Sequence, residues 1–357
     1  MMILALDLGK YKSVSCLYDT TSQSTTYGKV NTQPQAIHNL LAQVSPDRLV
    51  IETGTPAGWI HDMCLSLALE CQVANPQDER WHWSRVKTKT DRTDALKLAK
   101  LSAMDELPVV TVAPKATRQL KTLVRYRSKL IQRRVQMQNT LRGLFDTQGI
   151  TIPVGAKAWS LEGRALLRQD AGPFEELQSD ETWRGILLLE LSAYDAIQTQ
   201  IKQVEKQLEK QARTCPKTQR LQTIPGVGPR LSQALVCVIG DPHRFKSSKQ
   251  VSSYVGMTPR VYQSGNMLRL GRISKRGDRM LRSLLVEVAW ISQRYNPTFS
   301  GLYEHLVGGS KTRRKKAAVA LGRRILAISW SMLKHETDWD ASRVGPGLPH
   351  GVQSLAI

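Results

Sequence analysis

The first residues form a near-continuous apolar run, Met2 to Leu6, that ends on Asp7. A Gly-Lys turn follows and an alternating segment, Ser13–Tyr18, returns, which is the pattern of a β-hairpin. Thr25–Val30 reads as a third strand, and Gln35–Gln43 as a helix. Asp47–Glu52 reads as a buried strand with an acid at its end. Trp59–Leu69 is expected to be a helix and Gln72–Ala74 a short strand. Thr90–Ser102 is expected to be a further helix, with Leu96, Ala99 and Leu101 among its apolar positions. Three strands followed by alternating helices and strands is the order of an α/β, ribonuclease H-like domain.

The period then changes. From Lys115 to Phe145 the chain reads as one long helix, with Leu123, Leu130, Met137 and Leu144 recurring every seven residues. A second run has Leu187, Tyr194, Ile201 and Leu208 at one heptad position and Ile197 and Val204 at the other, interrupted near its ends by Glu190 and Gln211. Such a pattern suits a coiled-coil hairpin, a dimer seam, or one amphipathic helix packed on its own domain. Pro216 and the turn Thr-Ile-Pro-Gly-Val-Gly open a compact helical region that runs to roughly His335. The tail beyond Thr337 is rich in Gly and Pro and is expected to fray. The expected organisation is α/β followed by all-α: an acidic domain over 1–108, a helical linker and coiled coil over 109–215, a helical C-terminal domain over 216–336 and a tail over 337–357.

Charge narrows the function. The 357 residues carry 51 Lys and Arg against 30 Asp and Glu, a net +21, and the pI is near 10.0. An excess of that size points to an anionic partner, with nucleic acid first. It is also clustered. Nine basic residues and no acid lie between Leu107 and Phe145, among them Arg125, Arg133 and Arg134. Eight more and no acid lie between His305 and His335, centred on the run Lys311 to Lys316. Solvated faces usually mix signs, so one-signed stretches favour phosphate contact.

Five widely spaced cysteines with no Cys-x-x-Cys pair argue against a zinc ribbon or a disulfide framework. His61 and Cys64, three apart in an apolar stretch, read as core packing. No leader-like segment and no membrane-length apolar run stand out, so the expected place is the reducing cytoplasm, at the nucleoid, with no membrane partner.

Four acids stand where a two-metal site would want them. Asp7 and Glu52 each end a strand, and Asp91 and Asp94 lie three apart, so one helical turn aims both along one face. Carboxylate oxygens suit a hard cation such as Mg²⁺. Two ions roughly 4 Å apart can hold a scissile phosphate, activate an attacking hydroxyl and stabilise the leaving oxygen. Each piece alone has a plainer reading: a strand-end Asp is often a cap, and Asp-x-x-Asp often opens a helix. The Asp-Leu-Gly turn also occurs in actin-like kinases, where it approaches ATP phosphates.

Further on, Leu221–Ile239 has the pattern of a helix-hairpin-helix element, in which Gly226 and Gly228 let the backbone approach a phosphate and the next helix offers its free N–H groups. Then comes a motif running from Tyr262 to Arg282: Ser264-Gly265, followed by Gly271-Arg-Ile-Ser-Lys-Arg-Gly-Asp278 and Leu281-Arg282. Arg269, Arg272, Lys275 and Arg276 could neutralise a phosphate. No histidine lies nearby to serve as base for a serine hydroxyl, which is a poor nucleophile until deprotonated or metal-bound.

With these motifs the chain resembles the DEDD transposases of insertion-sequence family 110, relatives of the Piv-type invertases, over about residues 3–335. Asp7, Glu52, Asp91 and Asp94 match that family's acids, and the serine motif and the Ile-Pro-Gly-Val-Gly opening match its C-terminal domain. The resemblance implies a RuvC-like N-terminal domain and Ser264 as the nucleophile that joins covalently to DNA. It also implies a structured bridge RNA that pairs with donor and target double-stranded DNA. It further implies a homo-oligomer, dimer or tetramer, in which the acids of one subunit serve the serine of another. Ser274 is the alternative nucleophile. A RuvC-like junction resolvase or hydrolytic nuclease using only the acids, an actin-like sugar kinase, and a non-catalytic nucleic-acid scaffold are the competing readings. The kinase needs a second Gly-rich phosphate turn, where the later half offers helices and arginines.

Overall fold

The computed structural model describes residues 1–76, 78, 90–264 and 267–343, and it divides into two compact units, Met1–Lys115 and the chain from Ala116 onward. Gly265 and Asn266 of the serine motif, and the tail from residue 344, lie outside the described residues.

The first unit is a five-stranded mixed sheet with helices on both faces. Its elements are β1 (Met2–Asp7), β2 (Lys12–Asp19), β3 (Thr25–Asn31), α1 (Pro34–Val44), β4 (Arg48–Glu52), α2 (Ala57–Ser66), β5 (Glu70–Ala74) and α3 (Asp91–Ala103). The strand order is β3-β2-β1-β4-β5. The hairpin strands β1, β2 and β3 pair antiparallel, whereas β4 runs parallel to both β1 and β5. Side chains alternate across a strand, so the apolar run of β1 feeds two cores. Leu4 and Leu6 join Leu49 and Ile51 under Ile37 and Leu41 of α1 and Ile60 of α2. Ile3 and Ala5 join Val50 and Cys16 under Ala95, Leu98 and Ala99 of α3.

The second unit is mostly helical. It begins with α4 (Lys115–Thr147), α5 (Leu161–Arg168) and α6 (Thr182–Arg213), and continues with α7 (Pro216–Gln222), α8 (Pro229–Ile239) and α9 (Ser248–Val255). After a ribbon of β6 (Pro259–Ser264) and β7 (Met267–Ile273) come α10 (Arg279–Tyr295), α11 (Pro297–Val307) and α12 (Arg314–His335). The heptad pattern resolves as an antiparallel pair of long helices within one chain. Leu130 meets Ile197 and Ile201, and Leu141 and Phe145 meet Leu187 and Leu191. Val124 and Leu208 continue this seam into the core around Leu231 and Leu235, so the long helices and the C-terminal helices share one apolar interior.

Two expectations need correction. The C-terminal region contains a strand ribbon, β6–β7, in which nearly every side chain is exposed. Without a buried face it lacks the alternation of burial that normally marks strands. The tail also does not fray at Thr337: Trp339 packs its ring on Phe299 at 5.1 Å between centroids, and its N–H donates to Thr223 Oγ1 at 3.0 Å.

Two local devices hold the second unit's motifs. Gly226 has φ +84°, and a Cβ there would lie 2.2 Å from Ser292 Oγ, the hydroxyl that donates to the Pro225 carbonyl at 3.1 Å. Gly228, with φ −86°, is the N-cap of α8 and has open space around it. Asp278 caps α10 by accepting from the Leu281 N–H at 2.9 Å and takes an ion pair from Arg125 of α4 at 2.8 Å. Burial works against the Asp278 charge, but the hydrogen bonds from Arg125 and Leu281 and the nearby positive charges of Arg125 and Lys121 outweigh it. Its carboxyl is held below the ordinary value.

Gly226→Ala should lower the unfolding free energy by about 2–4 kcal/mol, from the left-handed backbone and the lost Ser292 bond. Gly228→Ala should cost no more than about 1 kcal/mol; equal denaturant midpoints for the two variants would contradict this division. A carboxyl with a depressed folded value stabilises above its unfolded value and loses that contribution as pH falls through the folded one. The stability gap between wild type and Asp278→Asn should therefore be full near neutrality and close as pH falls below about 4. Urea midpoints across that range measure the gap.

Candidate functional site

The sheet register sets the first half of the site. Leu6 of β1 stands beside Ile51 of β4, so Asp7 and Glu52, the next residue on each strand, finish at the same edge. Asp7 has the parity of Ile3 and Ala5, and Glu52 that of Val50, so both belong to the sheet face that α3 covers.

The direction of α3 supplies the other half. Arg48, at the start of β4, donates to the Ser102 carbonyl and to Ser102 Oγ, each at 3.2 Å, and Ser102 Oγ donates to Gln72 at 2.7 Å. This pins the C-terminal turn of α3 to the start of β4 and the middle of β5. The helix has 13 residues and rises roughly 1.5 Å per residue, enough to cross the sheet. Its first turn, with Asp91 and Asp94, therefore lies at the end where β1 and β4 finish. Arg92 of the same turn lies over the Tyr27 ring, 5.5 Å from its centroid.

The cap of α3 is made by threonines. Thr90 Oγ1 accepts from the Thr93 N–H at 3.2 Å, and Thr93 Oγ1 accepts from the Thr90 N–H at 2.9 Å. This reciprocal box satisfies the Thr93 and Thr90 N–H groups through threonine side chains. Asp7, Glu52 and Asp94 are half-buried, and Asp91 is exposed. The donor set is all carboxylate oxygen, the chemistry that a hard divalent cation takes. Among the described residues no three His, Cys, Asp or Glu side chains stand close enough to hold one ion. The acids share an end of the sheet without forming a closed coordination shell.

Ser264 is the last residue of β6, exposed, and pairs with Met267 of β7. Arg269 and Arg272 are exposed on β7, and Lys275 and Arg276 are exposed in the loop that leads to α10. Ser274 is half-buried, with its N–H donating to the Thr258 carbonyl at 2.8 Å. Gly226 and Gly228 are exposed in the connection between α7 and α8.

The basic face of α4 is less free than its composition suggests. Arg125 is committed to Asp278, and Arg127 pairs with Glu205 of α6 at 2.6 Å, where Arg230 of α8 also bears at 3.1 Å. Arg133 is exposed, and Arg134 is half-buried with its Nε unpartnered. The stretch contains no acid, but the acids of α6 and of the α10 cap reach it in space.

Comparisons with known proteins give this arrangement its context. Residues 4–149 match the domain family described as Transposase, of the DEDD IS110 type, and residues 218–304 match the Transposase IS116/IS110/IS902 family. The transposase for insertion sequence element IS1111A of Coxiella burnetii is 29% identical over 291 residues, 81% of this chain and 78% of that protein. The transposase for insertion sequence element IS1328 of Yersinia enterocolitica is 28% identical over 293 residues, 81% of this chain and 84% of its own length. The pilin gene-inverting protein of Moraxella lacunata is 35% identical over 123 residues, 34% of this chain and 38% of that protein. The DEDD match brings with it dependence on a divalent metal. Among the described residues no helix is long and apolar enough to cross a membrane. With both of the family's domains matched, in order, along one chain, the protein belongs to the IS110 family of transposases, enzymes that recombine DNA.

Proposed function

We propose that this transposase cuts and rejoins DNA through a Mg²⁺-dependent acidic site and a covalent serine step, directed by a structured RNA and carried out by a homo-oligomer. The observation that supports the reading is that Asp7 and Glu52 end neighbouring strands, with the first turn of α3 toward the same end of a sheet ordered β3-β2-β1-β4-β5. That order is the one expected of a ribonuclease H-like, RuvC-like domain. Asp7, Glu52, Asp91 and Asp94 are the residues that would hold two Mg²⁺ ions. Bound there, the cation supplies Lewis acidity to a phosphate oxygen.

Ser264 is the proposed nucleophile because its hydroxyl is exposed at a ribbon end and flanked by cations. In the step it performs, a bond forms between Ser264 Oγ and phosphorus. The bond from phosphorus to the departing strand's oxygen breaks, and the serine proton ends on that oxygen. The phosphodiester is thereby conserved as a serine ester, from which the strand can be rejoined. Arg269, Arg272, Lys275 and Arg276 balance phosphate charge. Gly226, Gly228 and the exposed cations of α4, Arg133 foremost, are proposed to hold nucleic-acid backbone independently of sequence. The family resemblance and the net charge of +21 support the guide RNA.

Asp7→Asn should reduce strand cleavage at least about 100-fold, through loss of one metal ligand, while DNA binding measured by gel shift stays near normal. Full cleavage by Asp7→Asn in Mg²⁺ would sink the metal assignment. A covalent protein–DNA species should form with a DNA end and survive denaturation. Ser264→Ala should eliminate it at a stability change below about 0.5 kcal/mol, and Ser274→Ala should retain it. An adduct lost only in Ser274→Ala would move the nucleophile ten residues on, and clean hydrolysed ends with no adduct would favour a resolvase or nuclease.

A further inference from the structure

The β6–β7 ribbon has two unlike faces. Its register pairs Val261 with Leu270, Tyr262 with Arg269, Gln263 with Leu268 and Ser264 with Met267. Cross-strand partners project to the same side, and alternate residues share it. One face therefore carries Tyr262, Ser264, Met267 and Arg269, and the other carries Val261, Gln263, Leu268 and Leu270; beyond Val261 the register shifts. Ser264 thus shares its face with an aromatic ring one step along its own strand and with a guanidinium across the ladder.

Gly271 explains how the ring is held. A Cβ at Gly271 would lie 3.0 Å from Tyr262 Cε2, so the phenol rests against backbone that no side chain covers. Tyr262 is nevertheless 56% exposed, with its other surface open to water, as a stacking platform requires. The surroundings are one-signed: from Pro242 to Gly277 there are eight Lys and Arg residues and no Asp or Glu. A cationic surface bearing a flat, supported aromatic ring fits a nucleic-acid strand, whose backbone meets the cations and whose base meets the ring.

We propose that this face is a seat for one nucleotide of a DNA strand, with Tyr262 stacking on its base and Arg269 bearing on its phosphate. The neighbouring phosphodiester is thereby presented to Ser264. Tyr262 and Arg269 are positioning residues. The seat deepens the reading of Ser264 as nucleophile and rests on it for its catalytic meaning, although stacking itself needs no catalysis.

The test uses the full-length protein without added metal and short single-stranded DNA carrying one 2-aminopurine, moved along the strand. Fluorescence should be quenched at a restricted set of positions. Tyr262→Ala should abolish that quenching and weaken binding roughly five- to hundred-fold, whereas Tyr262→Phe should retain both. Gly271→Val, which leaves the phenol intact but occupies its resting place, should also reduce the quenching. Arg269→Ala should lower the salt slope of binding by about one. Circular dichroism reports whether each variant keeps its fold. Quenching that persists in Tyr262→Ala would overturn the seat, as would quenching seen with RNA but not with DNA. Ser264→Ala should leave quenching unchanged while losing the covalent adduct. An adduct that persists in Ser264→Ala, with quenching still dependent on Tyr262, would sink the nucleophile and keep the seat.

Discussion

The parallel pairing of β1 with β4 is the constraint from which the N-terminal site follows. Because Leu6 lies beside Ile51, the carboxylates one residue further on reach the same edge together and on the same side. A slip of one residue would turn one of them to the opposite face and drive its apolar neighbours out of the core. The register is thus enforced by packing: Leu4 and Leu6 against α1 and α2, Ile3 and Ala5 against α3. Burial that stabilises the domain is the same burial that aims the acids. The Arg48–Ser102 contacts complete the arrangement by fixing which end of α3 meets that edge.

The second unit solves a different problem, which is how to keep a very basic chain compact. Long helices rich in arginine repel one another unless acids from elsewhere intervene. Glu205 takes both Arg127 and Arg230 and so ties three helices at a single carboxylate. Asp278 does the same for Arg125 while capping α10. The cations left over, on the ribbon and the exposed faces of α4 and α12, are those that remain for phosphate.

Much of this was readable from residue order alone, and the reason is periodicity. The buried strands, the helix from Asp91 and the two long helices each repeat on one face at the spacing of their backbone. The acids stand at the ends of those repeats. What escaped has no period. The β6–β7 ribbon buries no face, so its alternation carries no hydrophobic signal, and a lone tyrosine between a serine and arginines forms no motif of its own. The pairing of Arg125 with Asp278 joins residues 153 apart, a proximity that only tertiary packing creates. The elements that carry the four acids were legible, whereas the spacing of their side chains was not, because that spacing is set by neighbours that sequence order does not name.

The docking of Trp339 on Phe299 and Thr223 bears on how such a gene can erode. A stop that removes residue 339 strips a half-buried indole from the edge of the core and uncovers Phe299, so damage there is paid in folding. The indole therefore marks a limit: a chain that ends before it loses the packing that ties the end of the chain to α11 and to the end of α7.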